Sequence, residues 1–305
     1  MYIDIHGKRR LKLGLHTHTT RSDGHKTPEK AVEIYTAMGY DAIALTDHWV
    51  YAPTDMEREG IKLLSGCEYN IGGSDGTAGV YHIVGLCMER EPEIDPQAAN
   101  DTAVPVAERG RQIIKAIREA GGIAVLAHPA WSLNTPEQII TLGDFDALEI
   151  YNSVSDFGMS DRPYSGLQVD MIAGRGCFPP LTATDDTHYY TGDEGRGFVM
   201  LDAEAAEACG GGAKGIAEGI KQGRFYATQG PEIHLRRIDK QTIHLTCSPC
   251  DKIVFLSNVV WAKGRVLRGK DMVEATYTIH ECDTFVRAEV TDKDGRQAWS
   301  NIIIL

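Results

Sequence analysis

Short apolar segments alternate with helical patterns over the first two-thirds of the chain. Helix signals lie between several of them: Thr27-Pro28-Glu29 is typical of a capped helix start, as is Thr135-Pro136-Glu137, and residues 104–121 carry an apolar face. This alternation predicts an α/β architecture with parallel strands. Seven apolar segments have the length of a strand, and they span residues 11–15, 42–45, 61–64, 80–86, 123–127, 147–151 and 181–184.

The pattern changes to a period of two after Gly230-Pro231, which is a boundary signal. Apolar residues such as Ile243 and Leu245 then alternate with polar ones, as in an antiparallel sheet with one buried face. We therefore predict two domains. Residues 1–230 would form the α/β domain, and residues 231–305 a small, sandwich-like antiparallel β domain whose role the sequence leaves open.

Charge and cysteine content limit the classes of partner. The chain of 305 residues has 31 Lys and Arg against 43 Asp and Glu, a formal net charge of −12. We expect no membrane and no long nucleic-acid partner, because both are polyanionic surfaces. Seven scattered cysteines favour a reducing, cytoplasmic location, although a leader peptide that had already been removed would leave no trace in this sequence. For Cys247 and Cys250, a turn is favoured over a zinc site.

The placement of the histidines carries the chemical signal. Of the eleven histidines, five lie at or just beyond the ends of predicted strands and His82 begins its segment, and three carboxylates accompany these six. Imidazole and carboxylate ligands suit Zn, Mn and Fe. In a β/α barrel, the C-terminal ends of different strands converge on one face. The sequence therefore predicts a metal site with nine ligands: His16, His18, Asp23, His48, Glu68, His82, His128, Asp186 and His188.

Any one of these histidines alone would more often be a surface or core residue, so the prediction depends on the set. Nine ligands exceed what one tetrahedral ion needs, and three ions with Glu68 bridging two would use them. Asp185 is a rival to Asp186, but the spacing Asp186-Thr187-His188 repeats that of His16-Thr17-His18 and favours Asp186.

Several separate motifs together resemble the PHP (polymerase and histidinol phosphatase) superfamily. The resemblance covers roughly residues 11–190, and the quoted motifs are His16-Thr-His18, Ser22-Asp23-Gly24, Thr46-Asp47-His48, Gly66-Cys67-Glu68, His82, Ala127-His128-Pro129 and Asp186-Thr187-His188. It implies a distorted seven-stranded, TIM-like β/α barrel with a trinuclear metal site. Residues 223–228 and the β-rich tail are similar to a two-domain subgroup of that superfamily.

The resemblance also implies an assignment of ligands to ions. The first ion takes His16, His18, Glu68 and Asp186; the second takes Asp23, His48 and His188; the third takes Glu68, His82 and His128. The implied enzyme is a hydrolase of phosphoric esters that attacks its substrate with metal-bound hydroxide. Asp23, His48, Glu68, Asp186 and His188 would then act in catalysis through the metal.

A small phosphomonoester, perhaps a nucleotide in view of the aromatic residues that follow the ligands, is the expected substrate. Arg21 and Arg196 are candidates to bind its phosphate, and His25 a candidate proton donor, although each is more commonly an exposed residue. The alternatives are a phosphodiesterase or 3′–5′ exonuclease, an amidohydrolase, and a non-catalytic binding module stabilised by metal. An amidohydrolase would leave Asp23, His48 and Glu68 unexplained. The aromatic residues are Trp49, Tyr51, Tyr69, Trp131, Tyr189 and Tyr190.

Overall fold

The computed structural model describes residues 2–53, 57–58, 60–73, 80–190 and 192–305. Its helices are α1 (Pro28–Ala37), α2 (Pro96–Ala99), α3 (Val106–Glu119), α4 (Pro136–Leu142), α5 (Gly166–Ala173), α6 (Ala203–Ala208) and α7 (Gly212–Lys221), with one π-helical turn at Ser155–Met159. Its strands are β1 (Tyr2–Ile3), β2 (Arg9–Gly14), β3 (Ala42–Ala44), β4 (Glu57–Arg58), β5 (Ile61–Leu64), β6 (Gly66–Ile71), β7 (Tyr81–Leu86), β8 (Ile123–Leu126), β9 (Ala147–Asn152), β10 (Leu181–Thr184), β11 (Phe198–Asp202), β12 (Phe225–Thr228), β13 (Ile233–Arg237), β14 (Thr242–Leu256), β15 (Val266–Thr278), β16 (Phe285–Thr291), β17 (Gln297–Trp299) and β18 (Ile303–Ile304).

The local signals in the sequence correspond to elements of the structure. All seven predicted apolar segments contain strands, namely β2, β3, β5, β7, β8, β9 and β10. Thr27 caps α1 through its side chain, and Thr135 forms a reciprocal capping box with Gln138 at the start of α4. The α/β class is therefore confirmed.

The strands of the α/β part lie in two sheets. One contains the parallel run β2-β3-β5, and the other has the order β10-β9-β8-β7-β6. The expectation of parallel strands is correct for β8-β9-β10 but wrong for β6-β7-β8, which pair antiparallel. One residue, Ser65, separates β5 from β6, so the chain bends into the second sheet without a helical crossover.

Isolated β-bridges connect the two sheets at two seams, one between the ends of β2 and β10 and the other between the end of β3 and β6. Thr17, just beyond β2, pairs with Thr187, just beyond β10, and His48 pairs with Glu68 in β6. In the part of the chain that the structure describes, strand pairing forms no closed barrel, so the TIM-like barrel is not confirmed. The bridges nevertheless bring the strand ends that carry the predicted ligands to one place.

The C-terminal region is antiparallel, as the period of two predicts. β13, β14, β15 and β16 pair in this manner and bury apolar side chains that include Ile243, Leu245 and Phe255. Cys247 and Cys250 lie at an irregularity inside β14, with Sγ atoms 3.6 Å apart, so the expected turn is instead a distortion of a strand.

Strands on either side of residue 230 belong to the same large sheet, because β12 pairs with β17. Trp299 of β17 is fully buried and stacks on Tyr151 of β9, with ring centroids 5.3 Å apart. The C-terminal strands thus pack directly on the α/β part, and the division into two domains at residue 230 stays a prediction.

Within the described residues, every helix is too short or too polar to cross a lipid bilayer.

Candidate metal centre

The structure brings all nine predicted ligands together at one edge of the two sheets. Each comes from a strand or from the segment that follows it, except Asp23, which lies in the loop before α1. Asp23 is exposed and His48 is partly exposed, whereas the other seven ligands are buried. The site is therefore open to solvent on one side.

Eight of the nine predicted ligands form three overlapping groups, and within each group the ligand atoms lie within 4.8 Å of one another. His128 is in none of these groups, although its Nε2 lies 3.4 Å from Oε1 of Glu68, so its role as a ligand stays a prediction. His18 belongs to two groups, and so do His48 and Glu68, as expected of a compact site that holds more than one ion. The groups are His18, Asp23, His48 and His188; His16, His18, Glu68 and Asp186; and His48, Glu68 and His82.

The carboxylate of Glu68 lies at the centre of the cluster. Its oxygens lie 2.8–3.4 Å from ring nitrogens of five histidines: His16, His18, His48, His82 and His128. Oε2 of Glu68 and Oδ1 of Asp186 are nevertheless buried without a hydrogen bond of suitable geometry. Buried carboxylate oxygens without a donor are costly, and a cation bound among them would remove that cost. The donor set fits divalent ions that accept N and O ligands.

Hydrogen bonds on the far side of three rings direct their other nitrogen toward the cluster. Nδ1 of His16 lies 2.8 Å from Oε1 of Glu149, and Nδ1 of His188 lies 2.8 Å from the carbonyl oxygen of Asp186. Nδ1 of His128 lies 3.0 Å from the Ser132 hydroxyl. The carboxylate and the carbonyl can only accept, so they fix the proton on Nδ1 of His16 and His188 and leave Nε2 with a lone pair, as is typical of metal-binding histidines. The Ser132 hydroxyl can accept the Nδ1 proton of His128 in the same way.

The electrostatic balance of the site favours positive charge. Burial opposes protonation of His18, but Asp186 and Glu68 outweigh it and raise the pKa of His18 to about 9. Burial likewise opposes ionisation of Asp23, yet its contact with His188 holds the pKa of that carboxyl well below its usual range. Burial lowers the pKa of His48 and His82, so in the absence of metal, protons on His16, His18 and His128, whose pKa values are raised by the carboxylates, would balance the negative charge.

Asp185 and Asp186 have separate roles. Asp186 points into the cluster, with Oδ1 3.0 Å from Nε2 of His18, and its φ of 50° is unusual for a residue with a side chain. Asp185 points away and accepts hydrogen bonds from the Tyr35 hydroxyl and from the backbone amides of residues 195–197. The choice of Asp186 as the ligand agrees with this geometry.

Two further carboxylates support the site and were missed from the sequence. Glu149 contacts His16, and Asp47 accepts hydrogen bonds from the amide and hydroxyl of Thr19 and from the hydroxyl of Ser22, next to Asp23. A signal for Glu149 was present, since it is a charged residue in the apolar segment 147–151. Asp47 lies inside a quoted motif but was not assigned a role.

A cleft of about 150 Å³ opens beside the ligands, and Trp131, Val154, Ser155 and Met159 complete its lining. Trp131 packs against the rings of His82 and His128. Among the other aromatic residues, Tyr190 stacks on His188, whereas Tyr69 is a buried part of the core.

The candidate phosphate-binding and proton-donating residues lie outside the described lining of this cleft. The exposed Arg21 lines a separate small cavity beside α1, and the exposed Arg196 donates a hydrogen bond to the carbonyl of Gly192. His25 is exposed and packs edge-on against Tyr190. Their predicted roles stay predictions.

The fold and the site define an α/β protein with a candidate multinuclear metal centre of histidines and carboxylates. Residues 14–94 match the family model of the PHP domain. This match includes six of the nine predicted ligands, and it confirms the resemblance to the PHP superfamily that the motifs indicated. A comparison with curated proteins gives no match.

This chain is similar to several solved structures. A two-domain protein from Bacteroides vulgatus, whose PHP-like metal-dependent phosphoesterase domain was assigned by prediction, is similar over 99% of this chain and 96% of its own, with 18% identity and a TM-score of 0.51. A protein from Bifidobacterium adolescentis, provisionally described as a metal-dependent phosphoesterase, matches 59% of this chain and 89% of its own, with 18% identity and a TM-score of 0.40. An amidohydrolase from Chromobacterium violaceum matches 58% of this chain and 87% of its own, with 18% identity and a TM-score of 0.39.

Proposed function

We propose that the protein is a metal-dependent phosphoesterase that hydrolyses a small phosphomonoester. The observation that carries this proposal is the convergence of five imidazoles on Glu68 while its Oε2 atom is left without a hydrogen bond. A carboxylate in that position is suited to bridge two cations. The match to the PHP family model supports the same reaction class.

We propose three divalent ions of Zn, Mn or Fe, held by the nine ligands as the family resemblance assigns them. Divalent ions in such a site lower the pKa of water and neutralise phosphoryl oxygens. Neighbouring side chains such as Glu149 and Ser132 hold the ligand rings in place. The cleft beside the ligands is the proposed place of the substrate. Trp131, which packs on His82 and His128 at the cleft wall, is positioned to contact the organic part of the substrate.

The finer features of the fold and setting belong to the same proposal. The two bridges at the seams, Thr17 with Thr187 and His48 with Glu68, support a distorted barrel whose two sheets are joined mainly at the ligand-bearing end. A cytoplasmic location and the absence of a long nucleic-acid partner stay predictions.

Hydrolysis of p-nitrophenyl phosphate and bis(p-nitrophenyl) phosphate in the presence of Mn²⁺ or Zn²⁺ tests this function. We expect the monoester to be hydrolysed by the native protein and by His280→Ala, whose side chain is exposed in the C-terminal region. His18→Ala should lose at least a hundredfold in rate together with bound metal. Hydrolysis of the diester alone would replace the phosphatase with a phosphodiesterase. Full metal content without hydrolysis of either ester, or of a panel of nucleotides and sugar phosphates, would overturn the proposal.

A further inference from the structure

A second cavity, of about 570 Å³, lies at the end of β2 opposite to the metal ligands. Its volume is within the range of small-molecule binding sites. Arg10 in its lining and His16 in the metal cluster are six residues apart along an extended segment, which corresponds to about 20 Å. The lining shares no residue with the described ligand cleft. It consists of His6, Lys8, Arg10, Asp202, Gly223, Arg224, Phe225, Tyr226, Ile233, His234, Leu235, Arg236, Thr246, Ser300, Asn301, Ile302 and Ile303.

The cavity is cationic although the chain as a whole is acidic. Four Lys or Arg residues and two histidines line it, whereas Asp202 is the only acidic residue of the described lining. Lys8, Arg224 and Arg236 have no carboxylate within ion-pairing distance among the described residues. Like charges gathered without partners raise the local potential and attract an anion.

Arg10 is a buried residue of the cavity lining, and its side chain is held in place by other residues. It is 8% exposed, its Nε donates a hydrogen bond of 2.8 Å to Asp4, and its guanidinium lies 5.7 Å from the ring centroid of Tyr226. These contacts fix the guanidinium in place before any ligand arrives, so little side-chain entropy is lost on binding.

The opposite part of the lining is apolar. Phe225, Tyr226 and Ile233 are buried residues that contribute to the cavity lining, and Leu235 and Ile302 extend it. A cavity with an apolar wall and cations without partners fits a ligand that has an apolar ring at one end and phosphates at the other.

We propose that this cavity, termed here the basic cavity, binds a small phosphorylated molecule of the nucleoside diphosphate class. The three cations without acidic partners match the charge of a diphosphate, which is about −3 at neutral pH. The ring would pack against Tyr226, whose ring lies beside the Arg10 guanidinium. The site joins segments from both ends of the chain, because its lining extends from His6 to Ile303.

Calorimetric titration of the purified protein with ADP tests the proposal. We expect the double variant Arg224→Ala/Arg236→Ala to weaken binding at one site by at least tenfold. The matched control Arg268→Ala/Lys270→Ala removes the same charge from exposed positions of β15 outside the lining and should change it by less than twofold. His18→Ala should retain the basic-cavity site, because its substitution affects the metal cluster alone. Titrations with adenosine and with inorganic pyrophosphate separate the contributions of ring and phosphates, and each should bind more weakly than ADP.

Other outcomes contradict the proposal. ADP affinity that is unchanged in Arg224→Ala/Arg236→Ala, with that variant as thermally stable as the native protein, would overturn it. Binding that is lost in His18→Ala and kept in the double variant would assign ADP to the metal centre instead. If the double variant unfolds, Arg224→Gln alone gives the same comparison with a smaller structural change. Because ADP binding is measured without hydrolysis, failure here leaves the proposed phosphoesterase activity untouched.

Discussion

Nδ1 of His16 lies 2.8 Å from Oε1 of Glu149, although 133 residues separate the two along the chain. Oε2 of the same carboxylate accepts hydrogen bonds of 2.9 Å from the backbone amide of His128 and from the Asn152 side chain. One buried carboxylate thus orients one ligand ring and fixes the backbone of a second ligand. Glu149 is a positioning residue, because it holds ligands without belonging to the cluster of metal-ligating atoms.

Glu149→Gln should weaken metal binding about 10- to 100-fold, the usual effect of losing a partner behind a ligating histidine. The amide presents a donor where His16 now finds an acceptor, so the ring would rotate or change tautomer. Competition with a chelator of known affinity measures this change. Glu119→Gln, at an exposed position of α3, is the matched control. Equal metal affinity in the two variants would contradict the assigned role.

The neighbouring carboxylates Asp185 and Asp186 should respond differently to the same substitution. Asp186→Asn should lose most bound metal and activity, because the amide is a poor ligand beside His16 and His18. Asp185→Asn should retain metal but lose about 1–3 kcal/mol of stability, since it leaves buried donors from residues 195–197 and Tyr35 poorly satisfied. Metal analysis and urea unfolding measure the two effects. The reverse pattern would show Asp185 to be the ligand.

Most of the candidate metal centre could be predicted from the sequence, because local signals mark its predicted ligands. His16 and His18, and likewise Asp186 and His188, are spaced two apart at strand ends, where side chains converge. Glu149 was not recognised: its charge within an apolar segment marks it as unusual, but no local pattern identifies its partner His16, which is 133 residues away. Arg21 and Arg196 were suggested by their closeness in sequence to a ligand, and because such closeness does not fix where a long side chain points, their roles stay predictions.

The fold was predictable at the level of elements and less so in their pairing. Seven strands and the capped helices follow from apolar pattern and capping residues. The apolar segment that predicted β5 was ended at Leu64, and only Ser65 separates β5 from β6, so β6 was not predicted as a strand and its antiparallel pairing with β7 was missed. Trp299 of β17 pairs with β12 and stacks on Tyr151 of β9. These are long-range contacts, which the periodic pattern of apolar residues does not indicate.

Arg287 of β16 is expected to hold the C-terminal strands against the α/β part. Its side chain is fully buried, and its guanidinium contacts both carboxylate oxygens of Asp170 on α5, at 2.6 and 2.9 Å, and also Glu289. Arg287→Ala should lower the free energy of unfolding by about 3–5 kcal/mol, because it leaves two carboxylates without their cation. Urea denaturation measures the loss, with the exposed Arg268→Ala as control. A loss no greater than that of the control would remove this role.

Asp283 should make the stability of the C-terminal strands depend on pH in the acid range. Burial opposes its ionisation, but hydrogen bonds from Ser257, the Tyr277 hydroxyl and the His280 amide outweigh that effect and lower the pKa of Asp283. The folded pKa therefore lies below the unfolded value of about 3.9, so the stabilisation is fully present above that pH. It is lost as the pH falls through the folded pKa.

The comparison of the native protein with Asp283→Asn at several pH values isolates this effect. The difference between their free energies of unfolding should be largest at pH 5–7 and should shrink steadily below about pH 4, where the carboxyl becomes protonated in both states. Glu93→Gln, at an exposed position, should give a difference from the native protein that varies little over the same range. A difference for Asp283→Asn that stays constant down to pH 2.5 would mean that the ionised form of Asp283 contributes no stability beyond that of the neutral side chain.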